Sequence, residues 1–575
     1  MENREIASLL AETADLMEIA AEDGFRIRSY RNAATSIEGY PERIADIAAN
    51  PERKLTDVPG IGKGIAGVVC DLLEHGTFNK RDELLAKYPP TALELLKIQG
   101  LGPKSIAILI EHFRVSTIDD LERLCNEQKL RTLPRMGAKL EEKVLRSIQQ
   151  YRTSAGRFLL PFAQRTAHEL MEYLAETPGV ERVTAAGSFR RGRETVGDLD
   201  LLVTGPDPAA ALERFVKFAR VHEVLGRGEN KASARVGIEG IQVDVRALPI
   251  ESFGAAMQYF TGSKDHNVAL RQRALRMGYT LSEYGLARLD TNERIAGATE
   301  EEIYKALGLE WIPPELRENC GEIEAAETGL PSLIRLEDIR GDLHMHTTET
   351  DGRATLDEMA GHAKLLGYEY IAITDHSKAL AMANGLDEAR VVQFAKEARS
   401  RNQEGRWPLR VFSGIECDIL RDGTMDLAND ALAELDIVIG SVHSHMNMEP
   451  AEMTDRLLKA LECPSLRVLG HLTGRLLLHR DGYKFDFERV ATEAGRRGVW
   501  LEINASPERL DIYGPFVRTA KAKGCKFTIS TDSHHPLHLR SMPYGVMTAR
   551  RGWLSANDVM NTLNVEEFAK ALHKT

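Results

Sequence analysis

The sequence is poor in several things that would assign it elsewhere. Its six cysteines, Cys70, Cys125, Cys320, Cys417, Cys463 and Cys525, form no C-x-x-C pair, which argues against a thiolate zinc site or a disulfide framework and fits a reducing cytoplasm. No run is continuously apolar over the roughly 20 residues that a bilayer requires. The opening stretch, MENREIASLLAETADLMEIAAEDG, has neither a basic cluster nor an apolar run, so secretion and membrane insertion are not expected. Net positive charge is lacking too, with 86 Asp and Glu against 74 Lys and Arg. At a net charge of −12, any nucleic-acid binding must be local, because the chain offers no bulk basic surface. Arg26, Arg28 and Arg31, Arg190, Arg191 and Arg193, and Arg271, Arg273 and Arg276 form local clusters, although such clusters are more often solvated faces.

What is present is enough for several cores. A chain of 575 residues, 43% hydrophobic and 28% charged, reads as a multidomain globular protein. From Asn3 to about Gln150, apolar residues recur at helical spacing between glycine-rich breaks. From Val180 to Pro249, strand-like runs (VERVTAAGSF, DLDLLVTG, GIQVDVRALP) surround a helical stretch, ALERFVKFAR. Helical signals resume from Phe253 to Leu275, and Trp311 to Leu333 is Pro-containing and charge-rich, as a linker would be. Beyond it, apolar strands alternate with amphipathic helices (YIAITDH, RVFSGIECDI, DIVIGSVHSH, RVLGHLTG, VWLEINASP, CKFTISTDSHH), the pattern of a parallel β/α fold.

Two segments, LTDVPGIGKGIAGVVC and LLKIQGLGPKSIAILI, share a G-x-G ahead of a helix, and RTLPRMGAKLEEKVL is a weaker third copy. Gly60, Gly62, Gly100 and Gly102 let the backbone turn and approach a ligand closely, while the following helix offers free N–H groups to a phosphate; Lys104 adds charge. A single G-x-G is more often an ordinary turn. The repeat favours helix-hairpin-helix motifs that hold the DNA backbone without reading bases.

In AAGSFRRGRETVGDLDLLVTG, Asp198 and Asp200 stand at i and i+2 of a strand-like run and so share a face. Asp244, in GIQVDVRAL, can join them from a neighbouring strand. Three carboxylates suit two Mg²⁺ or Mn²⁺ ions for nucleotidyl transfer. Upstream, Gly187, Ser188 and Arg191 can hold a triphosphate through backbone, hydroxyl and guanidinium donors.

Together with YFTGSKDHN, from Tyr259 to Asn267, these segments resemble DNA polymerase beta and the other family X DNA polymerases over roughly the first half of the chain. The resemblance implies that Asp198, Asp200 and Asp244 are the catalytic metal ligands. It implies that Gly187, Ser188, Arg191 and Gly197 face the triphosphate, that Tyr259 and Phe260 form the segment excluding a ribose 2′-OH, that Gly262 belongs to the nucleotide-binding residues, and that Asn267 faces the incoming base. Tyr30 and Arg31 would contact a 5′-phosphate. Three departures limit it. Val68 stands where the lyase lysine is expected and Gly64 where a supporting lysine is expected, so no Schiff-base deoxyribose-phosphate lyase is anticipated. Gln242 occupies a position that is often arginine, which bears on rate or metal preference.

After residue 340, histidines and acids follow one apolar run after another: DLHMH, TDG, TDH, GIECD, SVHSH, LGH and TDSHH. Parallel strands bring their C-terminal ends to one face, so His344, His346, Asp351, His376, Glu416, His443, His471, Asp532 and His534 can share one pocket. Two or three Mn²⁺, Zn²⁺ or Fe²⁺ ions, with Glu416 bridging, suit that mixture. The region resembles the PHP phosphoesterase domain, a distorted β/α barrel.

The expected architecture is a helical helix-hairpin-helix region (1–82 and 83–152), an α+β nucleotidyltransferase palm (153–252), a small thumb (253–316), a linker (317–337) and the PHP barrel (338–575). The expected function is gap-filling DNA synthesis in repair with 3′–5′ exonuclease activity, and abasic-site cleavage as a further use of the PHP site. A PHP region serving only as a scaffold, or as a small-molecule phosphatase, is the alternative. Expected partners are gapped or primer–template DNA with a 5′-phosphate and deoxynucleoside triphosphates; no membrane is involved, and the chain is expected to act as a monomer in the cytoplasm.

Overall fold

The computed structural model describes residues 1–572 apart from residues 2, 39, 41, 52, 89, 90, 97, 99, 134, 135 and 155. The chain divides into two compact units, residues 1–155 and 156–575.

The first unit is helical because its apolar residues follow the helical period. In Asn3–Ile19, the fully buried Ile6, Leu10, Ala14 and Met17 stand three or four positions apart. One hydrophobic cluster runs from Ile6 to Ile148, so the helices assigned above to 1–82 and to 83–152 share a single core. The two G-x-G segments fold alike. Gly60 and Gly100 take positive φ (+82° and +100°), and Gly62 and Gly102 cap the helices Lys63–His75 and Pro103–Phe113. The turn hydrogen bond repeats, Ile61 N–H to the Val58 carbonyl (3.1 Å) and Leu101 N–H to the Ile98 carbonyl (3.3 Å). Residues 134 and 135 of the third copy lie outside the described residues.

In the second unit, a five-stranded sheet runs in the order Arg182–Ala185, Asp198–Thr204, Ile241–Leu248, Lys231–Val236, Val221–Arg227, with Asp198–Thr204 parallel to Ile241–Leu248. Its apolar face packs under the helix Leu160–Ala175. The helices Phe253–Thr261, Lys264–Arg276 and Glu300–Ala306 and a three-stranded sheet follow.

The expected linker is packed rather than extended. Arg317 and Glu322 are fully buried, and Glu322–Thr328 is helical. Their charges are paired, Arg317 with Glu300 at 2.6 Å and Glu322 with His266 at 2.7 Å.

The rest is a seven-stranded parallel sheet in chain order, from Gly341–Asp342 through Tyr370–Ile373, Arg410–Asp418, Ile437–Ser441, Val468–Leu469 and Trp500–Asn504 to Phe527–Ser530. A bridge between Met345 and Ser533 and a bond from Thr531 N–H to Asp342 (3.1 Å) bring first and last strands together, so the sheet is a nearly closed barrel. Among the described residues, no helix is long and apolar enough to cross a membrane.

Candidate functional site

In the palm, strand register does the positioning. Asp198 pairs with Gln242 and Asp200 with Asp244 across the parallel strands, so the three acids meet on one face. Ala186 N–H binds the Asp200 carbonyl at 2.8 Å, and Gly187, at φ +65°, lies where any Cβ would come within 2.7 Å of Asp200 Oδ2. Only glycine allows that approach.

The electrostatics are uneven. Burial, then the charges of Asp198 and Asp244, push the Asp200 carboxyl up to about 6. Burial would do the same to Asp244, yet hydrogen bonds from Lys231, Ser233 and Gln242 hold it below the usual range. Lys231 Nζ is 2.5 Å from Asp244 Oδ2, and Gln242 Nε2 donates to Oδ1 at 3.3 Å. A crowded acidic face with one member already lifted toward neutrality is relieved by a divalent cation, so the residues fit one.

The nucleotide-binding candidates gather nearby. Arg191 donates through Nε to Glu318 at 3.1 Å and through Nη1 to the Thr261 carbonyl. Gly262 keeps space for it, since an added Cβ would stand 3.2 Å from Arg191 Nη1. Ser188 lies in the short helix Gly187–Arg190, and Gly197 immediately precedes Asp198. Tyr259 and Phe260 meet edge to face at 5.0 Å. Asn267 is buried, its amide accepting from Gln258 and donating to the Tyr259 carbonyl, both at 2.7 Å; it braces the Tyr259 segment.

In the first unit, Gly62, Gly102 and Lys104 are exposed at the starts of their helices. Tyr30 is 7% exposed and stacked on Phe78. Arg31 is exposed but paired with Asp15 at 2.9 Å and with Glu18.

The barrel gathers all nine of the residues placed there by sequence. Glu416, 1% exposed, lies within 2.9–3.6 Å of ring nitrogens of His344, His346, His376, His443 and His471. Asp532 reaches His346 at 3.2 Å, and Asp351 reaches His376 at 3.4 Å and His534 at 3.5 Å. His344 Nε2, both ring nitrogens of His346, His376 Nδ1 and both oxygens of Glu416 are buried and make no hydrogen bond. Orphaned polar atoms are costly, and a divalent metal would satisfy the carboxylate oxygens and, on each ring that has given up its extra proton, one nitrogen. Three sets, His346/Asp351/His376/His534, His344/His346/Glu416 and His376/Glu416/His443, have ligand atoms within 4.8 Å of one another. Burial, then the neighbouring rings, push His346 down to about 3, keeping it neutral.

Two supporting acids were missed. Glu502, fully buried, accepts from His344 Nδ1 at 2.7 Å and from the His471 N–H at 2.7 Å. Asp418 stands 3.3 Å from His443 Nδ1. Each orients an imidazole. An acid within an otherwise apolar strand, as in VWLEIN, is the available signal.

Comparison with known proteins agrees with this division. Residues 1–78 match a helix-hairpin-helix domain, 92–150 a SAM-like helix-hairpin-helix tandem, 163–228 the DNA polymerase beta palm, 256–318 the DNA polymerase beta thumb, and 342–506 the PHP domain. Asp244, Asp532 and His534 lie beyond those matched stretches and rest on the geometry. These are the parts of a polymerase-beta-like nucleotidyltransferase joined to a PHP domain. The "DNA polymerase/3'-5' exonuclease PolX" of Bacillus subtilis (strain 168) is 36% identical over 574 residues, 99% of this chain and 100% of that protein. "DNA polymerase lambda" of Arabidopsis thaliana is 26% identical over 55% of this chain and 62% of its own length, and that of Rattus norvegicus is 25% identical over 52% and 53%. The chain belongs to the bacterial family X DNA polymerases that carry a C-terminal PHP domain. Divalent-metal dependence and DNA binding follow from that membership and from the donor sets.

Proposed function

We propose that this chain is a DNA-directed DNA polymerase that fills short gaps in base-excision-type repair, and that its PHP centre removes nucleotides from DNA 3′ ends and also cleaves at abasic sites. The observation that carries the polymerase reading is the in-register pairing of Asp200 with Asp244 beside Asp198 and the Gly187 turn. Asp198, Asp200 and Asp244 would hold two Mg²⁺ or Mn²⁺ ions; the nine barrel residues would hold two or three Mn²⁺, Zn²⁺ or Fe²⁺ ions. Divalent ions supply charge stabilisation for phosphoryl transfer at both centres.

The chain's own groups do the rest. Gly187, Ser188 and Arg191 bind the triphosphate of a deoxynucleotide, with Arg191 exchanging Glu318 for phosphate oxygens. Lys231 keeps Asp244 ionised. Tyr259 and Phe260, braced by Asn267, fill the space of a ribose 2′-OH. The two G-x-G hairpins hold backbone phosphates, so binding is independent of sequence. In the barrel, Glu502 and Asp418 fix the rings of His344 and His443. The protein acts as a cytoplasmic monomer on gapped DNA with a 5′-phosphate.

A 5′-labelled primer bordering a one-nucleotide gap, incubated in Mn²⁺, tests both halves. Extension with deoxynucleotides and shortening without them are expected. Failure to extend would overturn the polymerase reading, and extension without shortening would overturn the exonuclease reading.

A further inference from the structure

The turn beside the palm acids is gripped by the PHP barrel. The helix Met542–Arg551 follows Asp532 and His534 after only the short Pro536–Ser541 turn. On its barrel side it is fixed closely: a Cβ on Gly545 would stand 2.5 Å from Ile529 and 2.7 Å from Ala505. On its other side Met547 covers Gly192, where an added Cβ would stand 2.3 Å from the methionine Cγ. Arg551, 8% exposed, donates through Nη1 to the Arg191 carbonyl at 3.0 Å and to Glu318 Oε1 at 3.1 Å. That same oxygen accepts from Arg191 Nε at 3.1 Å. Arg550 anchors the segment around it, reaching Glu315 at 2.7 Å and the Ile334 carbonyl at 2.9 Å.

We propose that Arg551 is a positioning residue for nucleotide binding in the palm, acting through Glu318 on Arg191, so that the PHP region is part of the polymerase's nucleotide-binding apparatus. The inference rests on the reading of Arg191 as a triphosphate ligand. A carboxylate and a triphosphate compete for one guanidinium. While Arg551 holds Glu318, Arg191 can turn to the triphosphate and leave behind a compensated carboxylate. Without Arg551, that turn would strand Glu318 with Arg193, 3.7 Å away, and a partly buried charge left without a close partner is unfavourable. Arg191 therefore stays with Glu318, and nucleotide binding weakens. Linkage makes the effect reciprocal: bound nucleotide strengthens the Glu318–Arg551 pair and so steadies the helix that follows two of the PHP metal-ligand candidates.

Opposite signs distinguish this from a merely structural contact. Steady-state extension at a one-nucleotide gap should show KM for deoxynucleotide rising about five- to tenfold in Arg551→Ala, the lower range for linked sites, with kcat little changed and the rate of 3′ degradation retained. Glu318→Gln should lower KM, the double variant should follow Glu318→Gln, and Arg551→Lys should recover part of the loss. KM unchanged in Glu318→Gln, or raised in both single variants, would overturn the proposal. Should Arg551→Ala lose degradation and thermal stability together, Glu318→Gln decides alone, since it leaves the barrel intact. Arg191→Ala tests the underlying reading separately: an unchanged KM there would remove Arg191 as a triphosphate ligand, whatever the other variants do.

Discussion

Replacing Glu502 by glutamine probes the PHP centre without touching any proposed metal ligand. The side chain is fully buried, with one oxygen 2.7 Å from His344 Nδ1 and the other accepting from the His471 N–H at 2.7 Å and from Asn504 at 3.3 Å. Glutamine keeps the shape but removes the charge and one of the two acceptors. His344 then loses the partner that fixes its ring and sharpens the basicity of Nε2, the nitrogen facing Glu416 and Asp532. Losing such a supporting group costs 10–100-fold in metal affinity or activity, about 1.4–2.7 kcal/mol. The assay is degradation of a 5′-labelled single strand across a Mn²⁺ titration, with gap extension measured alongside. A rise of that size in the Mn²⁺ needed for half-maximal degradation, with extension unchanged, is expected. An unchanged Mn²⁺ requirement, or equal loss of extension, would refute the reasoning.

Metal binding to the barrel should release protons. Burial disfavours charge on His376 and His443, but Glu416, aided by Asp351 at one and Asp418 at the other, raises them to about 10 and about 9. Near neutral pH both rings therefore hold a proton that a metal must displace. Apparent Mn²⁺ affinity should rise with pH up to that range, and titration calorimetry in buffers of different ionisation enthalpy should register the protons; equal heats in all buffers would contradict it. Lys231→Ala should cut extension about fivefold, equivalent to roughly 1 kcal/mol for a pair that is partly exposed. It should also shift the acid limb of the extension pH profile upward, because Asp244 loses the partner that keeps it ionised; an unmoved limb would count against that role. Borohydride trapping on an incised abasic site should give no adduct in good yield, because Val68 and Gly64 of the helix Lys63–His75 offer no amine where the lyase lysine and its supporting lysine are expected.

Much of this was readable in the sequence because the chemistry follows short-range rules. Asp198 and Asp200 share a face by the two-residue period of a strand, and the ligand histidines end strands whose apolar runs are unmistakable. The strand Val221–Arg227 is hard to read because it is largely exposed at the sheet edge and rich in polar residues, and Lys231–Val236 because two of its three alternating buried residues are alanines, Ala232 and Ala234, which are weak strand signals. Lys231 was missed with them. Residues 317–337 look like a linker because the stretch is charge-rich and contains proline, whereas Arg317 and Glu322 find partners, Glu300 and His266, that lie in other elements. Glu502 needed the barrel to bring it to His344, 158 positions away. The joining of Arg551 to Arg191 depends in the same way on packing that no local pattern encodes.

The central claim is that two separate catalytic centres act on one chain, and a crossed pair of variants tests it most directly. A 5′-labelled primer at a one-nucleotide gap would be followed in Mn²⁺ with the unaltered chain, with Asp198→Asn plus Asp200→Asn, and with His344→Ala plus His346→Ala, each with and without deoxynucleotides. The account predicts that the palm variant shortens the primer but cannot extend it, and that the barrel variant extends it but cannot shorten it. Loss of both activities in either folded variant would contradict separate centres.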